Sequence, residues 1–383
     1  MTVPARNAVQ CLVIGGGLAG GIAALRLAEA GRRVLLLEKE REPHDKVCGE
    51  FLSGEACGYL GSAGIDPMAL GAERIENLRV STGKTIAETK LPFPALSLSR
   101  RVLDEALLAR AEEAGAVIRR GAAVELLHRD HVHRDHGPWC AELADGEVLA
   151  AESVFLATGK HELRGWRREH SVLAIQEDLV GFKLHWRLHP LQTAALRGWM
   201  ELFLFPGGYG GLALVEGGAA NLCLVVQQRQ LRRLGGWPAL LARLTQQDIL
   251  LRRRLGGAEP VWNKPMAISS IPYGYLAVPE NGLWRLGDQA AVIPSFTGDG
   301  MSIALHSGAL AARKFLSGAQ AEDFQRELAA SLRGGMRLAS VVSRATVHPL
   351  ARWLAPALLR TWPGGMRALA RRTRIPQGAL IAG

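Results

Sequence analysis

Three glycines near the start of the chain have the spacing of a phosphate-binding turn. Gly15, Gly17 and Gly20 directly follow the apolar run Cys11–Ile14, which predicts a buried strand. Gly15 permits the tight turn, Gly17 lets a pyrophosphate approach the backbone, and Gly20 lets the next helix pack against the strand. These residues predict a binding site for a dinucleotide.

The elements around these glycines support the same prediction. A helix is expected from Leu18 and Ala19, and its unpaired N–H groups and partial positive charge would face the phosphates. The second strand ends at Glu38, about 20 residues after the turn, where a carboxylate can accept the ribose hydroxyls. This pattern alone does not distinguish NAD from FAD.

A second glycine-rich segment near the other end of the chain makes that distinction. Gly287-Asp288 is followed by Pro294 and then by Gly298-Asp299-Gly300-Met301, which enter a predicted helix. This segment resembles the carboxy-terminal FAD motif of the superfamily that contains geranylgeranyl reductases, aromatic-ring hydroxylases and flavin-dependent halogenases. The resemblance implies that Asp288 holds ribityl or ribose hydroxyls. It also implies that the backbone N–H groups after the glycines face the N1–O2 edge of the isoalloxazine.

Three shorter segments extend this resemblance over most of the chain. Lys46–Ser53 resembles the segment that passes close to the flavin, Arg100-Arg-Val-Leu-Asp104 resembles an arginine motif that contacts FAD, and Phe155–Gly159 resembles a strand end of the Rossmann sheet. Together with the two glycine-rich segments, they predict the residues of a cofactor site. In chain order these are Gly15, Gly17, Leu18, Ala19, Gly20, Glu38, Lys46, Cys48, Gly49, Arg100, Thr158, Gly159, Asp288, Pro294, Gly298, Gly300 and Met301.

The resemblance implies an α/β fold with two interleaved domains and a helical carboxy terminus. One is a glutathione-reductase-like Rossmann domain for FAD, expected to comprise residues 1–70, 100–160 and 272–330. The other is a β-rich substrate domain, as in p-hydroxybenzoate hydroxylase, expected to comprise 71–99 and 161–271. Basic carboxy-terminal helices are expected over 331–383.

An aromatic and glycine-rich stretch in the middle of the chain is the best guide to the substrate. Phe203, Phe205 and Tyr209 lie in this stretch, and with Phe296 they predict an apolar pocket. Such a pocket favours a hydrophobic substrate. The leading hypothesis is an FAD-dependent monooxygenase of an aromatic or polyketide-type secondary metabolite or of a quinone precursor. The alternatives are an ene-reductase acting on a prenyl or polyene substrate and a non-catalytic flavoprotein that relays electrons.

Cys48 is the candidate catalytic side chain. Beside a flavin its thiol could donate a proton during double-bond reduction, and the alternative is a small packing residue before a required glycine. The sequence contains no second dinucleotide fingerprint, and Lys160-His161 occupies the place where aromatic hydroxylases carry Asp-Gly. The expected electron donor is therefore transiently bound NAD(P)H or a separate flavin reductase.

Composition limits the remaining classes of function. The five cysteines, at positions 11, 48, 57, 140 and 223, form no CxxC pair and no cluster with histidines. This predicts a protein of the reducing cytoplasm without a metal site or disulfides. No run of eighteen apolar residues and no secretory signal is apparent, so no transmembrane helix is expected.

The net charge of +10 comes largely from the carboxy-terminal segment. No Asp, Glu or Lys follows Glu327. The arginines after that position are Arg333, Arg337, Arg344, Arg352, Arg360, Arg367, Arg371, Arg372 and Arg374. With Trp353 and Trp362 among them, the segment could contact a membrane peripherally or dock an acidic carrier protein. It could equally form helices that pack on the FAD domain. No nucleic-acid-binding module accompanies the charge, so no nucleic-acid partner is expected.

Overall fold

The computed structural model describes residues 8–129, 137–168, 176–279, 282–347, 364 and 371–381. Within these ranges no helix is both long enough and apolar enough to cross a membrane. The strands, in chain order, are β1 (Val9–Ile14), β2 (Val34–Glu38), β3 (Phe51–Leu52), β4 (Glu73–Ser81), β5 (Ile86–Ser97), β6 (Val117–Arg120), β7 (Val124–Arg129), β8 (Trp139–Leu143), β9 (Val148–Leu156), β10 (Leu179–Arg187), β11 (Gly198–Phe205), β12 (Gly208–Leu214), β13 (Ala220–Gln227), β14 (Glu259–Pro260), β15 (Met266–Ser269), β16 (Tyr275–Leu276), β17 (Leu283–Arg285) and β18 (Ala291–Val292). The helices are α1 (Leu18–Glu29), α2 (Gly54–Ser62), α3 (Arg100–Glu113), α4 (Pro190–Leu196), α5 (Gln228–Leu234), α6 (Trp237–Gln247), α7 (Ile249–Leu255), α8 (Gly300–Leu316) and α9 (Ala321–Val347).

A seven-stranded sheet carries the predicted dinucleotide site. Its strand order is β6-β2-β1-β9-β8-β7, with β17 also paired to β9. The pairs β1–β2, β1–β9, β2–β6 and β9–β17 are parallel, whereas β7, β8 and β9 form an antiparallel meander. Parallel strands with helices packed on the sheet are the Rossmann arrangement. Strand β9 pairs with β1 and ends directly before Ala157. The Ala157-Thr158-Gly159 segment therefore follows a strand of the Rossmann sheet, as its sequence predicts.

The second sheet has nine strands among the described residues. Its order is β14-β10-β13-β12-β11-β4-β5-β3, with β15 also paired to β10. Strands β3 to β5 enter this sheet between α1 and α3, which belong to the first unit, so the chain crosses between the two units more than once. The interleaved α/β fold predicted from the sequence is confirmed.

The local sequence explains why α1 lies at the cofactor end of the first sheet. Leu12 and Cys11 in β1 point to opposite faces and are both fully buried, as expected for a parallel strand covered on both sides. Ile22 and Leu25 are also fully buried and pack in the core beneath the sheet. The amino terminus of α1 is thereby fixed at the carboxyl end of β1, where dinucleotides bind.

Helix α9 runs without interruption across position 331, where the basic carboxy-terminal region was expected to begin. Its apolar side includes the buried residues Phe324, Leu328, Leu332 and Met336, which join the core of the FAD unit. The same periodic face continues on both sides of the expected boundary, so the helix packs as one element. Arg352, Arg360 and Arg367 lie outside the described residues.

Candidate functional site

A cavity between the two sheets collects residues from both glycine-rich segments. The amino termini of α1 and α8 contribute to it, and β10 and β13 form the opposite wall. The predicted cofactor residues that line this cavity are Gly17, Leu18, Ala19, Cys48, Gly49, Arg100, Gly159, Asp288, Gly298, Gly300 and Met301. The fold thus brings together residues separated by almost the whole chain.

Gly15 and Gly20 lie behind the cavity and shape the turn that leads into it. Gly15 has a φ of +110°, and a Cβ there would lie 2.4 Å from the carbonyl oxygen of Ala157. A Cβ on Gly20 would lie 2.0 Å from the carbonyl oxygen of Gly15. Both positions therefore require glycine, the first for the turn and the second for the approach of the helix to the strand.

Glu38 is buried at the end of β2 and fixes the glycine turn. Its Oε2 accepts a hydrogen bond from the backbone N–H of Gly16 at 2.8 Å, and its Oε1 accepts one from the N–H of Glu40 at 3.0 Å. Each carboxylate oxygen has a second lone pair. The predicted contact with ribose hydroxyls stays a prediction.

Two cations and one carboxylate lie beside the amino terminus of α1. Arg100 and Lys46 both form ion pairs with Asp104, at 2.8 Å in each case. Burial alone would raise the pKa of Asp104, but Arg100 and Lys46 together lower it. A Cβ on Gly17 would lie 3.1 Å from Arg100 Nη2 and 3.6 Å from Lys46 Nζ. The surplus positive charge thus faces the open space above Gly17.

This arrangement fits the pyrophosphate of a dinucleotide. Gly17 caps α1 without any side-chain hydrogen bond, and the first turn of the helix carries no acidic residue. The helix N–H groups, Arg100 and Lys46 therefore all present positive charge to the same space. Lys46 is not among the residues that line the cavity, and its Nζ donates a hydrogen bond to Asp104 Oδ2 at 2.8 Å.

The second glycine-rich segment forms the far end of the cavity. Asp288 Oδ2 forms an ion pair with Lys160 Nζ at 3.2 Å, and Arg168 Nη1 donates a hydrogen bond to the Asp288 backbone oxygen at 3.1 Å. Burial alone would lower the pKa of Lys160, but Asp288 raises it. Lys160, which the sequence shows as a departure from the hydroxylase pattern, is thus a charged residue of the cavity wall.

The amino terminus of α8 opens directly into the cavity. Gly298 has a φ of +73°, and no atom lies within 4 Å of where a Cβ on Gly300 would stand. Asp299 caps the helix without a side-chain hydrogen bond. This leaves the first N–H groups of α8 available to a ligand, as the resemblance implies for the N1–O2 edge of a flavin. Pro294 precedes this turn without lining the cavity.

Thr158 lies at the carboxyl end of β9, one residue before the cavity wall. Its Oγ1 donates a hydrogen bond to the backbone oxygen of His161 at 2.8 Å. The side chain therefore braces the turn that carries Gly159 and Lys160 into the cavity. A direct contact between Thr158 and FAD stays a prediction.

The structure separates the four residues predicted for the substrate pocket into two groups. Phe203 and Phe205 lie on the same face of β11. They pack in the apolar cluster with α6 and α7, away from the cavity. Tyr209 and Phe296 lie one layer behind the cavity wall, with their rings edge to face at 6.1 Å. The apolar side chains on the wall itself include Val225, Ile271 and Val292, which the sequence analysis did not single out.

A buried ionic cluster around Glu50 was also missed. Glu50 lines the cavity, is fully buried and has a φ of +57°, which is uncommon for a residue with a side chain. It forms an ion pair with Lys183, and His185 Nε2 lies 2.9 Å from its Oε2. The backbone N–H of Glu50 donates to Cys48 Sγ at 3.4 Å. The cluster therefore ties the segment that carries Cys48 to β10.

Asp45, Glu50 and His185 have ligand atoms within 4.8 Å of one another, a spacing that would suit a metal ion. Lys183 Nζ, however, is already paired with both carboxylates, at 3.0 Å from Asp45 Oδ1. The Lys183 ammonium group therefore occupies the position of the cation between the two carboxylates, and the cluster is an ion-pair network.

Comparison with known proteins agrees with this geometry. The family model described as an FAD binding domain matches residues 8–136. A menaquinone reductase of Mycobacterium tuberculosis is 28% identical over 326 residues, covering 80% of this chain and 76% of that protein. A digeranylgeranylglycerophospholipid reductase 2 of Methanopyrus kandleri is 26% identical over 322 residues, covering 78% and 75%.

The solved structures share the fold. The flavin-dependent brominase Bmp2 superposes with a TM-score of 0.76 at 17% identity, covering 98% of this chain and 96% of the brominase. The matched domain, the reductase relatives and the cavity built from both glycine-rich segments lead to one conclusion. This chain is an FAD-dependent oxidoreductase that resembles the superfamily of geranylgeranyl reductases, aromatic-ring hydroxylases and flavin-dependent halogenases.

Proposed function

We propose that the protein is an ene-reductase that saturates a carbon–carbon double bond of a prenylated substrate. The observation that carries this proposal is the position of Cys48, which lines the cofactor cavity together with Gly49 and the apolar residues Val225 and Ile271. The names of the two reductase relatives support the same class of reaction.

Saturation of a double bond adds a hydride to one carbon and a proton to the other. When bound and reduced by NAD(P)H or by a partner reductase, FAD would supply the hydride. The chain must supply the proton, and the Cys48 thiol can hold it at Sγ. Arg100 and Lys160 line the same cavity as Cys48. The apolar wall excludes water from the substrate.

Hydroxylation of an aromatic substrate is the second candidate. The apolar wall formed by Val225, Ile271 and Val292 favours it as well, because a hydroxylating flavin also requires a site from which water is excluded. The two reactions differ in their need for oxygen. A product that gains two hydrogens under anaerobic conditions supports reduction, whereas incorporation of oxygen from labelled O₂ supports hydroxylation.

The role of Cys48 is tested by substitution with alanine. The FAD-loaded protein is reduced anaerobically and mixed with a prenylated naphthoquinone or with geranylgeraniol, and the product is analysed by mass spectrometry. We expect Cys48→Ala to lower kcat about 100-fold or more, the usual contribution of a general acid. Cys57→Ser, a half-buried cysteine of α2, should retain wild-type kcat. Unchanged kcat in Cys48→Ala with full FAD content would remove the thiol from the mechanism.

A further inference from the structure

Three hydroxyl groups meet behind the apolar wall of the cavity. Tyr273 donates a hydrogen bond from its phenol to Ser295 Oγ at 2.8 Å, and the Tyr209 hydroxyl lies 2.9 Å from the same oxygen. Tyr209 belongs to β12, Tyr273 precedes β16, and Ser295 lies in the turn before α8. The cluster thus joins the second sheet to the segment that leads to Gly298 and Gly300.

The cluster is buried among apolar side chains. Tyr209 and Tyr273 are 5% and 3% exposed, and they pack with Val225, Ile271 and Val292. Hydroxyl groups in such surroundings are costly unless they form hydrogen bonds. Their mutual hydrogen bonds therefore hold three polar groups at one point of an otherwise apolar wall.

Two members of the cluster reach the cavity itself. Ser295 and Tyr273 line it, whereas Tyr209 stands behind them. In the described part of the chain, these two are the only hydroxyl-bearing side chains on the cavity wall. Of the charged wall residues, Arg100 and Asp288 belong to the predicted cofactor site, Lys160 pairs with Asp288, and Glu50 belongs to the ion-pair cluster with Lys183.

Both phenols of the cluster are neutral, and Tyr273 donates its one proton to Ser295 Oγ. Burial raises the pKa of Tyr273 to about 12, and burial together with the neighbouring Tyr273 raises the pKa of Tyr209 well above its usual range. A neutral hydroxyl cluster recognises an uncharged acceptor such as a carbonyl oxygen. It would not compensate the charge of a diphosphate.

We propose that Ser295, oriented by its hydrogen bonds with Tyr273 and Tyr209, donates its own hydroxyl proton to a carbonyl oxygen of the substrate and so forms a carbonyl-binding subsite. The subsite would select a substrate with a quinone-type ring over one that is purely hydrocarbon. This inference rests on the proposed function, because it assigns the substrate class of the same cavity. Cys48 and Ser295 both line that cavity.

Two small probes with the same ring test the subsite without any turnover. Menadione carries two carbonyl oxygens, and 2-methylnaphthalene carries none. Their binding to the oxidised, FAD-loaded protein is measured from the change in flavin fluorescence. We expect menadione to bind more tightly than 2-methylnaphthalene. Ser295→Ala should weaken menadione binding about 5-fold, the usual net value of one hydrogen bond. Tyr273→Phe should weaken it as well, because Ser295 loses the partner that orients its hydroxyl. Both variants should leave the binding of 2-methylnaphthalene unchanged.

Tyr275→Phe is the matched control, because Tyr275 is a buried tyrosine of the same apolar cluster that does not line the cavity. It should leave the affinity for both probes at the wild-type value. Equal affinity of the wild type for the two probes would overturn the subsite, and so would an equal loss for both probes in the variants. Loss of FAD from both Tyr273→Phe and Ser295→Ala would also overturn it, since the cluster would then hold the flavin. Menadione has no prenyl chain, so these results are independent of whether the protein reduces a prenyl double bond.

Discussion

At the scale of single residues, Gly17 is the position where a side chain would enter the space predicted for the pyrophosphate. A Cβ there would lie 3.1 Å from Arg100 Nη2, in the space that the helix N-terminus and the two cations leave for phosphate. We expect Gly17→Val to reduce the FAD content of the purified protein at least about 10-fold, because the side chain would block the approach of the pyrophosphate. The ratio of flavin to protein absorbance measures this content.

Gly58→Val is the control for this substitution. Gly58 is exposed on α2, and no atom lies within 4 Å of where its Cβ would stand. This variant should keep full FAD content. If Gly17→Val also remained fully loaded, the assignment of the α1 amino terminus to the pyrophosphate would be wrong.

The sequence predicts the role of a residue when its partners are close along the chain, and not when they are far away. The turn glycines could be predicted because their role depends on neighbours a few positions away. Glu50 could not, because its partners Lys183 and His185 are 133 and 135 positions away along the chain. The only sequence signal was that Glu50 follows Cys48 and Gly49. No local rule pairs an acid with a lysine in a distant strand.

At the scale of elements, periodicity predicts which residues share a face but not what that face contacts. Phe203 and Phe205 were predicted to line the substrate pocket, and β11 places both on one side. That side packs against α6 and α7, while the side facing the cofactor is provided by Val225 of β13 and by residues of β10. Which face of β11 is turned away from the cofactor depends on where α6 and α7 pack. The sequence of the strand does not determine this.

Glu201 gives a test of how β11 is fixed to α7 and β4. Its carboxylate is fully buried and pairs with Arg254 at 2.7 Å and with Arg79 at 2.5 Å. Glu201→Gln would leave two largely buried guanidinium groups without their shared anion. We expect the free energy of unfolding to fall by about 3–5 kcal/mol, measured by urea denaturation of the FAD-loaded protein.

The exposed partner of Arg79 provides the comparison for Glu201. Glu88 also pairs with Arg79, at 2.7 Å, but about half of its side chain is exposed. Glu88→Gln should cost less than about 1 kcal/mol, because water screens the pair. Equal losses in the two variants would show that burial does not set the strength of this network.

At the scale of the whole molecule, the last described segment returns to the FAD unit. The backbone N–H of Ile381 donates to the Tyr59 hydroxyl at 3.2 Å, and Arg374 pairs with Glu55 of α2 at 2.5 Å. Arg374 also stacks over Phe93 of β5, 3.5 Å from the ring centre. Packing of this part on the FAD domain was one of the alternatives that the sequence left open, beside contact with a membrane or with an acidic carrier protein. Its arginine content could not decide between them, because the acidic partners belong to distant elements.

Asp299, the residue that caps α8, couples this docking to pH. Its carboxyl group is 1% exposed, and Arg374 Nη1 lies 3.4 Å from Oδ1. Burial raises the pKa of Asp299 from 3.8 to about 7, against the opposing effect of Arg374, whose charge is shared with Glu55. The folded protein therefore keeps a proton on Asp299 that the unfolded chain releases near pH 4.

Because the folded state binds this proton more tightly, Asp299 contributes stability below about pH 4 that is lost as the pH rises to about 7. The full shift corresponds to at most about 4 kcal/mol. Asn at this position is neutral in both states, so Asp299→Asn should gain stability relative to the wild type between pH 4 and pH 8. Urea unfolding of the FAD-loaded proteins across this range measures the difference. Asp323→Asn should follow the wild-type profile, since the pKa of Asp323 is lowered and it titrates below this window. Parallel wild-type and Asp299→Asn profiles would mean that Asp299 is already ionised in the folded protein and that Arg374 outweighs its burial.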